Sequence, residues 1–216
     1  MSSRPSTLNV DSYAERTFAT IIRSLRSARL DAGLSQNALS AGLPVRGRAI
    51  SEWETGAIEP TFDHLIQCCG ELRLRLVIIG RDGTPREAAS RQKPGESWEH
   101  FERRRLATPL RARRMALGMS QGHLSELVGV SRDTIQRWEL VHVPPRPISH
   151  VVWAQRLGYS LGVERIDVPD GRPSPRPMIT PGTRQTLSNS AASYSSLVPD
   201  PPMISGKHSG GRETSR

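Results

Sequence analysis

Five polar side chains fall together late in the chain: Ser131, Arg132, Asp133, Gln136 and Arg137. They stay outside when Leu124, Val128, Val130, Ile135 and Trp138 face inward at helical spacing. Such residues can read base edges. Arg132 has the fork to pair with a guanine, a contact worth about 1 to 3 kcal/mol of discrimination. Asp133 can accept from a cytosine amine or repel a phosphate and so reject wrong registers, and Arg137 can meet a base or the backbone. An earlier stretch places Arg46, Gly47, Arg48, Ser51 and Glu52 in the same outward positions.

Bond-making chemistry is poorly supplied. The six histidines are scattered without metal-ligand spacing. No serine sits in a nucleophile elbow or beside an evident lysine or histidine base. Cys68 and Cys69 are adjacent on an expected helix, where their side chains point apart, so neither a disulfide framework nor a metal cluster is read from them. No catalytic residue, metal or cofactor is expected, and the cysteine usage suits a reducing, cytoplasmic compartment.

Composition sets the frame for these residues. The chain has 216 residues, a formal charge of +9 and a pI near 10.8, which favours an anionic partner such as nucleic acid or a membrane surface. Only two of its 30 basic side chains are lysines, Lys93 and Lys207, a preference that reads as codon bias more than mechanism. With 36% apolar residues, 18 Gly and 17 Pro, the chain is not expected to pack densely from end to end. Apolar runs such as Leu76 to Ile79 are too short to span a bilayer, and the first residues lack the apolar stretch of a secretory signal.

The elements that would position the polar residues occur twice. Laying residue n over n + 85 pairs Arg29 with Arg114, Gly33 with Gly118, Ser35 with Ser120 and Gln36 with Gln121. The register runs without a gap through Ile50/Ile135, Trp53/Trp138 and Glu54/Glu139 to Leu76/Leu161, as expected for two copies of one small fold. In the first copy Phe18, Ile21, Ile22, Leu25 and Ala28 mark a helix ending at Gly33. Ser35 caps the next, a third carries Ile50 and Trp53, and Phe62, Leu65, Ile66 and Cys69 mark a fourth. "LRLRLVIIG" alternates as a half-buried strand does. In the second copy Thr108 and Pro109 are expected to open the first helix, with Trp98, Phe101 and Leu106 on a short helix packing on that unit.

The strings "GLSQNALSAGLPVRGRAISEWETG" and "GMSQGHLSELVGVSRDTIQRWE" resemble the helix-turn-helix of the XRE-type family of Cro and phage-repressor-like regulators. The resemblance covers roughly Phe18 to Gly80 and Leu106 to Glu164. It implies an all-α chain of two tandem lambda-repressor-like bundles, each able to end in a short β-strand. It also implies that Ser35 with Gln36, and Ser120 with Gln121, hold phosphates, and that Arg29 and Arg114 pair with Glu54 and Glu139 as structural braces. Trp53 and Trp138 belong to the core.

Two departures bear on these expectations. Pro44 stands where Gly129 supplies a left-handed turn, so Gly42 is expected to take that role and shift the start of the next helix. "ELVHVPPRP" lacks the glycine found at Gly56, so its loop is expected to take a different path. The resulting organisation is a first domain at 13–80, a linker at 81–97, a second domain at 98–164 and a disordered tail at 165–216. The expected function is sequence-specific binding of double-stranded DNA by a transcription regulator, with repression as its default mode of action and no membrane partner. A homodimer and an intramolecular pseudo-dimer through the strands near Leu72 to Ile79 and Tyr159 to Glu164 both stay open. The alternative is an antitoxin-like or adaptor protein whose first domain binds a toxin-like partner or dimerises, leaving DNA to the second.

Overall fold

The computed structural model describes residues 7–86 and 91–166. Parts of the expected linker (87–90) and of the expected disordered tail (from 167) lie outside the described residues. Two runs of elements follow one another in the same order. The first holds α1 (Ser12–Asp31), α2 (Gln36–Ser40), α3 (Gly47–Thr55), α4 (Phe62–Glu71) and β1 (Leu74–Ile79). The second holds α5 (Trp98–Ala116), α6 (Gln121–Val128), α7 (Arg132–Glu139), α8 (Pro147–Arg156) and β2 (Ser160–Arg165).

Most helix starts have a chemical cause visible in the sequence. Asp11, Ser35, Thr61, Ser97, Ser120 and Ser131 have extended backbones, and each side-chain oxygen accepts the N–H three residues on. Gly33 and Gly118 turn left-handed just past α1 and α5 and end them. Pro109, by contrast, does not open a helix. It lies inside α5, which starts eleven residues earlier, and the Thr108 hydroxyl donates back to the Arg104 carbonyl at 2.7 Å instead of capping. Proline removes one helical bond. Burial of Leu106, Ala107 and Leu110 on the same helix offsets that loss.

β1 and β2 pair with each other, antiparallel, from Leu74 opposite Arg165 to Ile79 opposite Ser160. Val77 faces Gly162, which is 85 residues further on and therefore its own counterpart in the repeat. A ladder centred on equivalent residues has its local two-fold axis between the copies, the geometry of an isologous dimer built in one chain. The helices follow that symmetry. α1 packs on α8 and β2, and α5 packs on α4 and β1. One continuous apolar core results, from Ala14 and Ile21 through Leu76 and Ile78 to Trp153 and Leu161.

Trp98 and Phe101 consequently pack against the first copy, where they were expected to pack on the second. The Arg75 guanidinium of β1 lies 5.8 Å from each ring centroid, and Arg75 pairs with buried Glu102 at 2.6 Å. Polar contacts also cross between copies at helix ends. Asn9 caps the end of α6, its backbone N–H bonding Val128 C=O at 2.9 Å and its amide bonding the Leu127 and Glu126 carbonyls. Glu59 accepts the Ile148 N–H at 2.7 Å at the start of α8 and pairs with Arg146.

His150 of α8 is buried where the copies meet. Its ring stacks on Phe62 of α4 at 4.8 Å and meets Trp153 edge-on at 5.3 Å, and neither ring nitrogen has a hydrogen-bond partner among the described residues. Burial pushes its pKa down to about 3. An unfolded chain binds a proton at this residue near pH 6.5, whereas the folded one does not. Its contribution is therefore complete above about pH 6.5 and is lost as the pH falls towards 3. Urea denaturation between pH 6.5 and pH 5 is expected to cost the protein about 2 kcal/mol that His150→Leu does not lose. Equal slopes in the two proteins would refute this.

Candidate nucleic-acid interface

One constellation of charged side chains occurs twice with nearly equal distances. Arg29 meets Glu54 through two parallel bonds of 2.6 and 2.8 Å, donates to Leu34 C=O at 2.7 Å, and Glu54 accepts from Gln36 at 2.9 Å. Arg114 meets Glu139 at 2.5 and 2.9 Å, donates to Met119 C=O at 2.7 Å, and Glu139 accepts from Gln121 at 2.8 Å. Each cluster ties the end of the first helix, the following loop, the start of the second helix and the end of the third. Burial drives the Glu54 carboxyl upward, but the bonds from Arg29 and Gln36 outweigh it and hold its pKa below the usual range. Trp53 and Trp138 are buried beside these clusters.

In the second copy the braced helices present a polar face. Gly129 links α6 to α7 with φ +83°, and a Cβ there would lie 2.1 Å from the Thr7 carbonyl oxygen. Buried Ser125 turns its hydroxyl to Gly122 C=O at 2.7 Å, inside the motif. Ser131, Arg132, Asp133, Gln136 and Arg137 are all exposed. Arg137 and Asp133 pair along the helix at 2.9 Å, but both are more than half exposed, so the pair contributes only a few tenths of a kcal/mol. The Arg132 side chain has no hydrogen bond or ion pair among the described residues. The Ser120 hydroxyl is taken by the His123 N–H, which leaves the backbone N–H groups of Gln121 and Gly122 and the second amide hydrogen of Gln121 free of helical partners.

The first copy builds the same turn differently. Gly42 is not left-handed, and no residue between α2 and α3 has a positive φ. The end of α2 tightens instead, with Ala41, Gly42 and Leu43 N–H groups bonding the carbonyls three residues back, before Pro44 fixes the next φ. The expected shift does not occur: α3 starts at Gly47, the counterpart of Arg132. Gly47 is buried against Asn37, whose side-chain oxygen would lie 1.9 Å from a Cβ. Where the second copy offers Arg132, the first therefore offers no side chain at all.

The neighbouring positions in the first copy complete the contrast. Arg46 is exposed at the N-cap of α3 without a side-chain cap, Arg48 is 88% exposed and pairs with Glu52 at 2.8 Å, and Ser51 is half-buried. Arg48 and Glu52 are the counterparts of Asp133 and Arg137, with the signs exchanged. Later in the motif the copies agree more closely than their residues suggest. Val141, the counterpart of Gly56, takes φ +61° beside +75° for the glycine, so at this residue the loop does not take a different path. A β-branched residue there costs of order 1 kcal/mol or more, offset by burial of its side chain. Sequence reasoning missed Asn9, Asn37 and Glu59, whose partners lie in other elements and leave no local periodicity.

A family model described as helix-turn-helix matches residues 25–79 and 110–162, together half of the chain. The chain belongs to the XRE-type helix-turn-helix family. Comparison with curated proteins and with solved structures finds no match. The family is one of DNA-binding regulators and not of enzymes, and the chain is a DNA-binding transcription regulator. No helix among the described residues is long and apolar enough to cross a membrane.

The braces and the exposed pairs of these helix-turn-helix units should respond very differently to truncation. Glu139→Ala leaves the largely enclosed Arg114 guanidinium without its carboxylate, holding only the Met119 carbonyl, and is expected to cost about 3 kcal/mol in urea denaturation. Arg137→Ala is expected to change stability by no more than about 0.5 kcal/mol. A Glu139→Ala protein as stable as Arg137→Ala would show that the brace does not hold the motif.

Proposed function

We propose that one chain reads an asymmetric double-stranded DNA site through two recognition helices, α3 and α7, and represses transcription by occupying a promoter. The observation that carries this reading is the β1–β2 ladder centred on Val77 and Gly162, which supports a two-fold relation between the helix-turn-helix units of a single chain. Each recognition helix enters the major groove of one half-site. Ser120 with Gln121, and Ser35 with Gln36, clamp phosphates through the first N–H groups of α6 and α2 and the free amide hydrogen of each glutamine.

Arg132 pairs with a guanine, flanked by Ser131 and Gln136, while the Asp133–Arg137 pair opens to meet the groove. In the first unit Arg46, Arg48 and Ser51 make the contacts, and the half-site there differs because Gly47 replaces Arg132. Residues 109–164 carry +3 and residues 13–80 only +1, so phosphate attraction is stronger at the second unit. The reading calls for no cofactor, and it places the protein in the compartment that holds DNA.

The bare Gly47 position also favours a second reading, in which the first unit binds a protein partner and only the second reads DNA. Footprinting separates the two. Two reading heads protect two half-sites with centres about 10 bp apart or a multiple of that, and a single head protects one. Arg132→Ala should cost about 1 to 3 kcal/mol of base discrimination at one position, with Arg48→Ala acting in the other half-site. An Arg132→Ala protein with unchanged affinity and base preference would remove the principal contact from this account. Light scattering of the free protein should return the mass of one chain, and a tight homodimer would refute reading as a monomer.

A further inference from the structure

The two outer edges of the small sheet are covered differently. The Arg86 N–H bonds Ile78 C=O at 2.6 Å and the Arg105 guanidinium bonds Leu76 C=O, so Leu76 and Ile78 turn their backbone groups away from β2. The register then turns Leu161 and Val163 away from β1 on the other strand. The outer edge of β1 is covered by the chain's own return. After β1 the chain reverses at Asp82-Gly83, where the Asp82 carboxylate accepts the Thr84 N–H at 3.1 Å, and brings Pro85 opposite Ile79. Trp98, Glu102 and Arg105 of α5 cover the rest of that side.

Among the described residues nothing equivalent covers β2. The outward backbone groups of Leu161 and Val163 have no partner among the described residues. Tyr13, Thr17 and Thr20 of α1 are the counterparts of Trp98, Glu102 and Arg105. With these different side chains an open groove of about 440 Å³ runs between α1 and β2. The chain leaves β2 at Arg165, the end of this groove from which a returning segment would run antiparallel past Val163 and then Leu161.

The sequence after β2 supplies such a segment. Asp170-Gly171-Arg172-Pro173 repeats the pattern of Asp82-Gly83-Thr84-Pro85. From its Pro173 onward, Pro173, Pro175 and Pro177 alternate with Ser174, Arg176 and Met178. A residue before proline is confined to extended conformations, so this stretch is prepared for an edge. In a β-strand such alternation would put every N–H on one side and every proline on the other. A strand of this kind can add to one edge and cannot itself be extended.

We propose that Pro173–Met178 return along β2 and occupy this groove, placing the N–H groups of Ser174, Arg176 and Met178 on the Leu161 and Val163 edge. The segment does for β2 what Pro85 and Arg86 do for β1, and it closes the sheet to a second copy of the chain. The inference rests on the strand pairing and not on the DNA reading.

Amide hydrogen exchange tests it, comparing the full chain with a chain ending at Ile166. The Leu161 and Val163 amides should exchange roughly tenfold or more slowly in the full chain, at all protein concentrations. In the full chain, Arg176→Pro removes an inward N–H and should abolish that protection, whereas Pro175→Ala should keep it. Retained protection of the buried Trp153 and Leu157 amides shows that each variant is folded. Equal exchange in the two chains would overturn the proposal. So would protection that survives truncation and grows with protein concentration, which would assign the edge to a second copy.

Discussion

An antiparallel ladder places a two-fold axis between any pair of facing residues. When those residues are counterparts in a tandem repeat, the axis relates the two copies to each other. The Val77–Gly162 pair does this here, and the rest of the architecture follows from it. A shift of the ladder by one residue would turn one strand's buried face to solvent, so burial of Leu76 and Ile78 on one strand and Leu161 on the other fixes the register. The register in turn fixes which helix each strand meets.

Because the copies are covalently joined, their association costs no dilution entropy, and the second unit is always present at high effective concentration beside the first. The contacts between them need not be as extensive as those of a free dimer. They are nonetheless shared closely: α1 and α5 reach across to the opposite copy, His150 stacks on a ring from the other side, and Asn9 and Glu59 finish helices they do not belong to. Cooperative unfolding of both units as one body is the natural consequence of a core that has no seam.

The sequence was most legible where one residue type has one physical use. The capping oxygens of Ser35 and Ser120, the left-handed glycines Gly33 and Gly118, and the tryptophans Trp53 and Trp138 were all read at their places. The paired braces Arg29–Glu54 and Arg114–Glu139 came through the family resemblance. Where several solutions are open, the sequence was silent or misleading. Pro109 has the look of a helix start, yet packing of Leu106 and Leu110 carries α5 through it. Pro44 forbids a left-handed turn without saying that a tightened helical end replaces it. The exposed placing of Arg46, Arg48, Arg132 and Arg137 could be anticipated, but the burial of Gly47 against Asn37 could not, because it depends on a contact between helices.

The crossing caps also set an order on how the chain is made. Residues leave the ribosome from the N-terminus, so Asn9 and Glu59 emerge long before the helices they finish. The outer helix of the first copy waits for α8 and β2, and its strand waits for a partner that is complete only at Arg165. Neither unit reaches its final packing until nearly all of the described chain has been synthesised. A nascent or prematurely ended chain is therefore without either finished unit, and competence arrives for both halves together.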